Sequence, residues 1–419
     1  MVRAHWISVR RLWRDSKGNV FAITAACLPL LIGAAGLAVD TAQWSYSRRQ
    51  LQREADSAAM AGAFAIAQSK DAVAAATSDL ARSNTITLTG GADIHSAPTT
   101  GAYAGNTQAV RVSLSTTQRL PFSGLFMSAA PVISANATAA VVSNGNYCAL
   151  ALGSANGVGI KMQGSATLNF GCGLATNATG SNAVYAGGSS SITATPVSAV
   201  GGLTASSNYI GGTQLLPYSL PQPDPYAHLS NPAPSGCQAQ LTVNPGATQA
   251  LTPGCYAGIN IKGTATLSEG TYYIDGGSFS VGSQGVVTSL GTGVTIVLTS
   301  STAATNPSSI ATLNINGGAT LNLSASQTGT YAGILFYQDR RAQDSGANTL
   351  NGNAASTLQG AFYFPSQELD FSGTSGMTTD CLQLVALRLT FIGNTNVSNS
   401  CPPGSGASSF TGSQVRLVE

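Results

Sequence analysis

The chain has 419 residues, of which only 8% are charged, and its formal net charge is +2. An average soluble domain carries about 25% charged residues, and beyond position 120 the basic residues are few and scattered: Lys161, Lys262, Arg340, Arg341, Arg388 and Arg416. This composition argues against a nucleic-acid partner, which would require a basic face on the folded part of the protein.

The first element along the chain is a predicted transmembrane helix over residues 20–39, from Val20 to Val39. The run contains no charged residue and is followed directly by Asp40. At about 1.5 Å per residue it would measure roughly 30 Å, the thickness of the hydrocarbon core of a bilayer. Pro29 lies in the middle, where a membrane helix tolerates it because neighbouring groups satisfy the freed carbonyl. We interpret these residues as a membrane anchor.

The charges that flank this run predict its orientation. Five basic residues precede it: Arg3, Arg10, Arg11, Arg14 and Lys17. The basic residues after it are partly offset by acids. Under the positive-inside rule, the basic tail of residues 1–19 lies in the cytoplasm and the rest of the chain lies outside it. The alternative is a cleaved secretory signal peptide, whose apolar core of about 7–15 residues would be shorter than this run.

Residues 40–146 are predicted to form a helical stalk followed by a small α+β module. The stretch 41–83 is rich in Ala and contains no Pro, which favours a helix that continues the transmembrane run. Residues 107–143 alternate between apolar and polar side chains on either side of a short SGLFMSA stretch. This pattern predicts strands, with one helical turn between them.

One face of the predicted stalk helix consists mostly of small residues. Its members are Leu51, Ala55, Ala58, Ala59 and Gly62. Such a face permits the close approach of a second helix, either from another copy of the chain in a homo-oligomer or from a different protein. The other interpretation is a stalk helix that packs on its own domain, and the sequence leaves both open.

Residues 147–419 are predicted to form an all-β domain with weak internal repeats. The stretches 159–173, 258–274 and 313–325 share a Gly, one further residue and then Ala-Thr-Leu. Short repeated strands between turn glycines are typical of a parallel β-helix or related solenoid, in which each coil buries its apolar face by stacking on its neighbours. A β-sandwich is the alternative. The Pro-rich stretch 216–236 is interpreted as an excursion between two parts of this domain.

The cysteines favour disulfides over a metal site. Cys27 lies within the apolar run, where it serves as a small apolar residue. An even number of cysteines in an exported segment indicates disulfides. We predict three local pairs: Cys148 with Cys172, Cys237 with Cys255, and Cys381 with Cys401. No CxxC motif occurs and the three histidines are scattered, so no metal site is predicted.

Motifs for catalysis are absent from the sequence. It contains no P-loop, no dinucleotide-binding glycine motif and no nucleophile elbow. Glu368 and Asp370 are two residues apart, so on a strand they would share one face. Paired carboxylates can perform glycoside hydrolysis, although a solvated strand edge before a turn is the simpler interpretation. We therefore predict no catalytic residue, no cofactor and no enzymatic activity.

Three motifs follow one another near the N-terminus: Asp-x-x-Gly-Asn-Val at residues 15–20, Gly-Leu-Ala-Val-Asp at residues 36–40, and the small-residue helix of residues 51–62. As an ordered set they resemble the TadE/TadG-like family of tight-adherence (Flp) pilus assembly proteins. Further on, PGCYAGINIKGTATLSEGTYYIDGG, GTGVTIVLT and SGTSGMTTDCLQLVALRLTFIGNTNV are similar to the exported region of some TadG-related proteins. Where TadE-type pseudopilins carry a Glu five residues after a Gly cleavage point, this chain has Ile23, which argues against processing by a prepilin peptidase.

The resemblance implies a structural accessory protein of Flp pilus assembly in the bacterial inner membrane. It would have one transmembrane helix, a cytoplasmic N-terminus and a periplasmic β domain, with other pilus-assembly or pilin subunits as partners. One alternative is an envelope adhesin or carbohydrate-binding module that binds a polysaccharide. Another is a β-helix polysaccharide lyase or hydrolase, which would need charged residues clustered along one β face.

Overall fold

A computed structural model describes residues 19–83, 86–352, 356–373, 376–394, 396–399 and 409–419. Residues 1–18 and Cys401 lie outside the described residues, and of Cys381 only the backbone is described. The chain divides into two compact units, Met1–Val142 with Val415–Glu419, and Ser143–Gln414. Each unit has its own hydrophobic core.

The first unit begins with a helix of 49 residues, α1 (Asn19–Ala67), followed by α2 (Ala72–Ser83). α1 continues through Pro29 and joins the predicted transmembrane run to the predicted stalk. After α1, Ser69 adopts a left-handed conformation with a φ of 56°. Asp71 then caps α2 by accepting a backbone amide hydrogen of its first turn at 2.9 Å. Such a cap gives the first turn a partner for an otherwise unpaired amide, which explains why the helix restarts at this position.

An antiparallel sheet completes the first unit. It consists of β1 (Ala92–Ser96), β2 (Ala109–Thr117) and the first part of β3 (Val132–Ala151). A 3-10 turn at Ser123–Leu125 separates β2 from β3, which confirms the predicted helical turn. The buried side chains of β2 alternate with less buried ones, and this inner side packs on α1 and α2 to form the core.

The second unit is built from short strands. In chain order these are β4 (Ile160–Gly164), β5 (Thr167–Asn169), β6 (Gly173–Thr176), β7 (Val184–Ala186), β8 (Ser191–Thr193), β9 (Val197–Ala199), β10 (Leu215–Leu216), β11 (Leu241–Val243), β12 (Thr248–Leu251), β13 (Gly254–Tyr256), β14 (Ile259–Ile261), β15 (Thr264–Leu267), β16 (Gly270–Asp275), β17 (Ser278–Val281), β18 (Val286–Ser289), β19 (Val294–Thr299), β20 (Thr312–Ile315), β21 (Thr320–Ser324), β22 (Ile334–Gln338), β23 (Ala347–Gly352), β24 (Thr357–Gly373), β25 (Gly376–Gly393), β26 (Asn396–Asn399) and β27 (Phe410–Leu417).

The strands of successive coils pair in parallel and form the three faces of a solenoid. The first face contains, in spatial order, β11, β14, β17, β20, β23, β24, β25, β4 and β7. The second contains β12, β15, β18, β21, β24, β25, β26, β5 and β8. The third contains β13, β16, β19, β22, β24, β25, β3, β6, β9 and β10. This largely parallel pairing confirms the predicted solenoid, and the β-sandwich alternative, which requires antiparallel sheets, is wrong.

The spatial order of the coils differs from their order in the sequence. β25 pairs with β4, where Leu389 faces Ile160, and also with the end of β3. The coils of residues 147–216 therefore continue the stack beyond the coil that β25 and β26 form. As a result, β10 and β11 lie at opposite ends of the described stack, and residues 217–237 connect these two ends.

The interior of the solenoid is filled with alternate side chains of each strand. In the repeat around β15, Ala265 and Leu267 are fully buried, whereas Thr264 and Thr266 lie on the outer side. The Ala-Thr-Leu repeat therefore reflects the need to bury every second residue of a short strand. Further along the stack, phenylalanine rings form an internal ladder with centroid separations of 4.9, 6.3 and 5.2 Å, in the order Phe336, Phe362, Phe371 and Phe391.

Candidate functional site

The apolar side chains in the first part of α1 are exposed. Phe21 is 86%, Leu30 73% and Leu31 66% exposed. Within Ile23–Ala67, α1 contains an almost entirely exposed stretch that is long and apolar enough to cross a membrane. A helix this apolar near the N-terminus is either a membrane anchor or a signal sequence, since both satisfy these criteria. The helix contains the three apolar residues predicted for the anchor, Val20, Pro29 and Val39.

Asp40, directly after the apolar run, is buried and holds the loop between β2 and β3. Its carboxylate accepts the backbone N–H of Phe122 at 2.9 Å, and both the backbone N–H and the hydroxyl of Ser123. Burial alone would raise the pKa of Asp40, but the hydrogen bonds from Ser123 and Phe122 outweigh it and hold the pKa below its ordinary value. We call these hydrogen bonds of Asp40 the latch. Beside the latch, the Phe122 ring is so close to α1 that a Cβ added to Gly36 would lie 2.8 Å from its Cε2 atom.

The small-residue face of α1 is buried within its own unit. Its fully buried members are Leu51, Ala55, Ala58 and Ala59. At Gly62 an added Cβ would lie 2.9 Å from Cγ1 of Val110 in β2 and 3.1 Å from the carbonyl oxygen of Ala72 in α2. In the structure this face is therefore occupied by the chain's own sheet and second helix. A helix from another chain could use the face only by displacing this core.

Two disulfides close local loops in the β domain. Cys148 is bonded to Cys172 and Cys237 to Cys255, with Cα separations of 5.8 and 4.4 Å. Because disulfides form and persist in oxidising compartments, they indicate that the β domain is extracytoplasmic. The third predicted pair, Cys381 with Cys401, lies outside the described side chains.

The described residues contain one group with the spacing of a metal site, formed by Cys237, Cys255 and Asp275. Their potential ligand atoms lie within 4.8 Å of one another. Both sulfurs are bonded to each other and offer no thiolate to a metal, while Asp275 accepts the backbone N–H of Ser301. The group is explained by a disulfide beside a turn.

Residues 217–237, which we call the strap, cover a ladder of large, mostly apolar side chains on the third face. In register order the ladder is Tyr273, Val297, Tyr337, Tyr363, Val385, Leu150 and Ala175. The Tyr363 hydroxyl donates to Asp224 of the strap at 2.7 Å, and its ring centroid lies 5.3 Å from that of Tyr226. Arg340 donates to the Tyr226 carbonyl oxygen at 2.9 Å. The second disulfide fixes the end of the strap to the terminal coil.

A charged network lies on the outer side of the first face. Arg388 contacts Asp344 with nitrogen–oxygen distances of 2.6 and 2.8 Å, and Glu368 at 3.4 Å. Glu368 also accepts the Thr390 hydroxyl hydrogen at 2.6 Å. The hydrogen bonds from Arg388 lower the pKa of Asp344. Both carboxylates are therefore engaged in holding adjacent coils together.

Asp370 lies two residues after Glu368, on the same outer side of β24. Its Oδ1 atom is buried and has no hydrogen-bond partner among the described residues. Burial raises the pKa of Asp370, and the Glu368 carboxylate adds to this effect, while Lys161 opposes it. Glu368 and Asp370 therefore lie on the same outer side of β24, where Glu368 is bonded to Arg388 and Thr390.

These features define a protein with one N-terminal apolar helix of membrane-crossing length and a disulfide-bonded parallel β-solenoid. Residues 18–69 match the family model of the putative Flp pilus-assembly TadE/G-like proteins. The chain therefore contains a TadE/G-like Flp pilus-assembly region, which confirms the resemblance of the N-terminal motifs. This region covers the whole of α1, including Asp40. No curated protein and no solved structure matches the chain.

The residues that hold Asp40 were missed by the sequence reasoning. Ser123 lies 83 positions further along the chain, and hydrogen bonding over such a distance leaves no local pattern. The one available signal was the apolar character of SGLFMSA, which contains three large apolar residues where a surface turn usually has polar ones.

Proposed function

We propose that this protein is a non-enzymatic accessory protein of Flp pilus assembly, anchored in the bacterial inner membrane by α1 with its β-solenoid in the periplasm. The observation that carries the proposal is the family match of residues 18–69, which falls on the exposed apolar helix and its latch. The basic residues before the helix support a cytoplasmic N-terminus. The two disulfides support a periplasmic solenoid.

The latch supports an anchor that is retained rather than a signal that is cleaved. Gly36 accommodates the Phe122 ring, and Asp40 satisfies two backbone amides of the loop that carries this ring. Cleavage at the end of the apolar run would remove Gly36 and leave the Phe122 ring without the surface on which it packs. The last turns of the apolar run therefore serve the fold of the first unit as well as the membrane.

The solenoid supports a structural role. Its charged groups are few, and the carboxylate of Glu368 is held by Arg388 and Thr390. General acid or base catalysis requires a titratable group within reach of a substrate, whereas these groups are engaged with one another. A stack with long parallel faces instead offers an extended, rigid surface on which pilin or other assembly subunits could be positioned.

Polysaccharide binding is a second candidate, supported by a row of polar side chains on the first face. Asn260, Ser280, Asn314 and Thr349 are register neighbours on successive coils, and Asp370 follows them. Hydroxyl and amide groups in a row can donate and accept hydrogen bonds along a glycan chain. In that case the protein would serve as an envelope adhesin or carbohydrate-binding module.

A chromosomal deletion with complementation tests the proposed role. Surface pili are imaged while total pilin is measured by immunoblot. We expect the deletion strain to make pilin but no surface filaments, and the full-length gene to restore them. Normal filaments in the deletion strain would overturn the assembly role and favour the adhesin.

A substitution at the acidic pair separates the structural role from an enzymatic one. The double variant Glu368→Gln, Asp370→Asn keeps the size of both side chains but removes both carboxylates. We expect it to restore filaments in the deletion strain like the wild type. Loss of filaments together with loss of polysaccharide cleavage, in a variant that is present at the wild-type level, would favour the lyase or hydrolase.

A further inference from the structure

The loop that the latch holds exposes large apolar side chains beside the membrane helix. This loop, residues 121–127, follows β2 and contains the 3-10 turn. Leu125 and Phe126 are each 77% exposed, and Met127 is 47% exposed. An exposed apolar cluster of this kind is unusual on a surface that meets only water. We call this loop the wedge.

The wedge lies alongside the apolar run and not beyond its end. Leu125 and Phe122 line one open apolar cavity together with Ile32 and Val39 of α1. Ile32 precedes Asp40 by eight positions, which corresponds to about 12 Å along a helix. If α1 spans the bilayer as proposed above, the wedge therefore lies at the depth of the outer leaflet.

The backbone N–H groups of the wedge are all satisfied internally, which suits a lipid environment. Pro121 has no amide hydrogen, and those of Phe122 and Ser123 bond to Asp40. The next four amides, from residue 124 to residue 127, donate to carbonyl oxygens at positions 120, 122, 123 and 123, at 2.9–3.1 Å. Each unpaired backbone group in the hydrocarbon region would cost several kcal/mol (about the scale of a lost hydrogen bond in an apolar medium).

The residues that follow Asp40 on α1 fit the level of the lipid headgroups. Trp44 is 37% exposed and Tyr46 67% exposed, and Arg48 lies over the Trp44 ring at 5.5 Å. Trp and Tyr are enriched at membrane–water interfaces. They are placed about 6–9 Å beyond Asp40 along the helix axis.

We propose that the wedge inserts into the outer leaflet of the membrane that α1 spans, and that its partner is lipid. This inference rests on the proposed anchoring of α1. Insertion to about 5–10 Å, as interfacial segments show, would place Leu125 and Phe126 among the acyl chains. The latch then fixes the depth of the first unit, since Asp40 joins the wedge to the end of the transmembrane run.

Depth-dependent fluorescence quenching of the full-length protein tests this proposal. The protein, in a Cys27→Ala background, is reconstituted into vesicles of phosphatidylethanolamine and phosphatidylglycerol. An NBD label is placed at Phe126→Cys, at Leu31→Cys within the apolar run, or at Thr107→Cys near the opposite end of β2. Spin-labelled lipids serve as quenchers, and protein without an added cysteine sets the background.

We expect the Phe126 label to be quenched about half as strongly as the Leu31 label, because interfacial segments lie shallower than a transmembrane helix, and the Thr107 label to be unaffected. Quenching at Leu31 without quenching at Phe126 would overturn the wedge and leave the anchor intact. No quenching at Leu31 would overturn the anchor and, with it, the inference. A Phe126 label that is shielded from water but not quenched by lipid would indicate a protein partner or a second copy, and would also overturn the proposal.

Discussion

The close approach of successive coils at one corner of the solenoid predicts a large difference between two equivalent substitutions. At Gly180 an added Cβ would meet the carbonyl oxygen of Gly157 well inside 3.0 Å and the amide nitrogen of the same residue at 3.0 Å. At Gly157 an added Cβ has no atom within 4 Å. Gly180→Ala and Gly157→Ala therefore introduce the same methyl group at two neighbouring coils, one obstructed and one free.

The size of the expected loss of stability depends on which atoms obstruct the added methyl group. Overpacking costs about 1–3 kcal/mol and occasionally more. The atoms in the way belong to the backbone of Gly157, which cannot swing aside as the end of a flexible side chain can. Hydrogen bonds between neighbouring coils hold the loops on either side, such as Thr179 N–H to the Ala155 carbonyl oxygen at 3.1 Å and Gly202 N–H to the Gly180 carbonyl oxygen at 2.9 Å. We expect Gly180→Ala to destabilise these coils by about 3 kcal/mol. Gly157→Ala should stabilise them by about 0.4–1 kcal/mol through the unfolded chain.

Hydrogen exchange of the full-length protein in detergent, followed by mass spectrometry, measures this difference locally. Local measurement is appropriate because stability in a solenoid is a sum over neighbouring coils. In peptides covering residues 160–202, Gly180→Ala should accelerate exchange by about a hundredfold, since about 1.4 kcal/mol corresponds to a factor of ten. Equal protection from hydrogen exchange in the two variants would show that the backbone contact at this corner does not require glycine.

Three further predictions concern the second unit. Replacing Cys237 and Cys255 by Ser should destabilise the terminal coil by about 3 kcal/mol, since the disulfide closes a loop of 18 residues. Limited proteolysis of the strap measures this loss of stability, and an unchanged rate of cleavage would contradict the prediction. Phe371→Ala should lower the free energy of unfolding by about 3–5 kcal/mol, because the ring is fully buried and stacks 5.2 Å from Phe391. Denaturation with urea should show a smaller loss of stability for Phe371→Leu, and equal losses for the two variants would argue against the phenylalanine ladder. The pKa of Asp370 is raised in the folded protein, so ionisation of this carboxyl weakens the fold as the pH rises from about 3.9 through the raised pKa. The stability of Asp370→Asn relative to the wild type should therefore increase between acidic and neutral pH. A difference in melting temperature that does not change with pH would contradict this expectation.

The sequence is sufficient to predict the elements whose signals are local. An uncharged run of membrane length before Asp40, an Ala-rich stretch without Pro, and the Gly-x-Ala-Thr-Leu repeats each reflect a requirement met within a few residues. The structure confirms the long helix and the parallel solenoid that these patterns predict. The disulfides Cys148–Cys172 and Cys237–Cys255 could also be predicted, because each closes a short loop.

Features that depend on contacts between distant residues could not be predicted from the sequence. Nothing in the local pattern indicates that Leu389 faces Ile160, because any apolar strand of this length would fit either neighbour. The Pro-rich stretch was found, but its role in covering Tyr363 follows only from the order of the coils. Likewise, the partner of the small-residue face could not be chosen, because Ala and Gly permit the approach of any helix or strand.

Exchange of the anchor in the deletion strain tests whether pilus assembly needs the protein to be held in the membrane by α1. In one chimera residues 1–39 are replaced by a cleavable signal peptide, and in a matched control only residues 20–31 are replaced by an unrelated apolar sequence of equal length. Both chimeras keep Asp40, but only the control keeps Gly36 and with it the surface on which the Phe122 ring packs. We expect surface filaments with the control and none with the cleaved chimera, although the latter is exported and forms its disulfides. Filaments restored by the cleaved chimera would show that pilus assembly does not need membrane anchoring by α1.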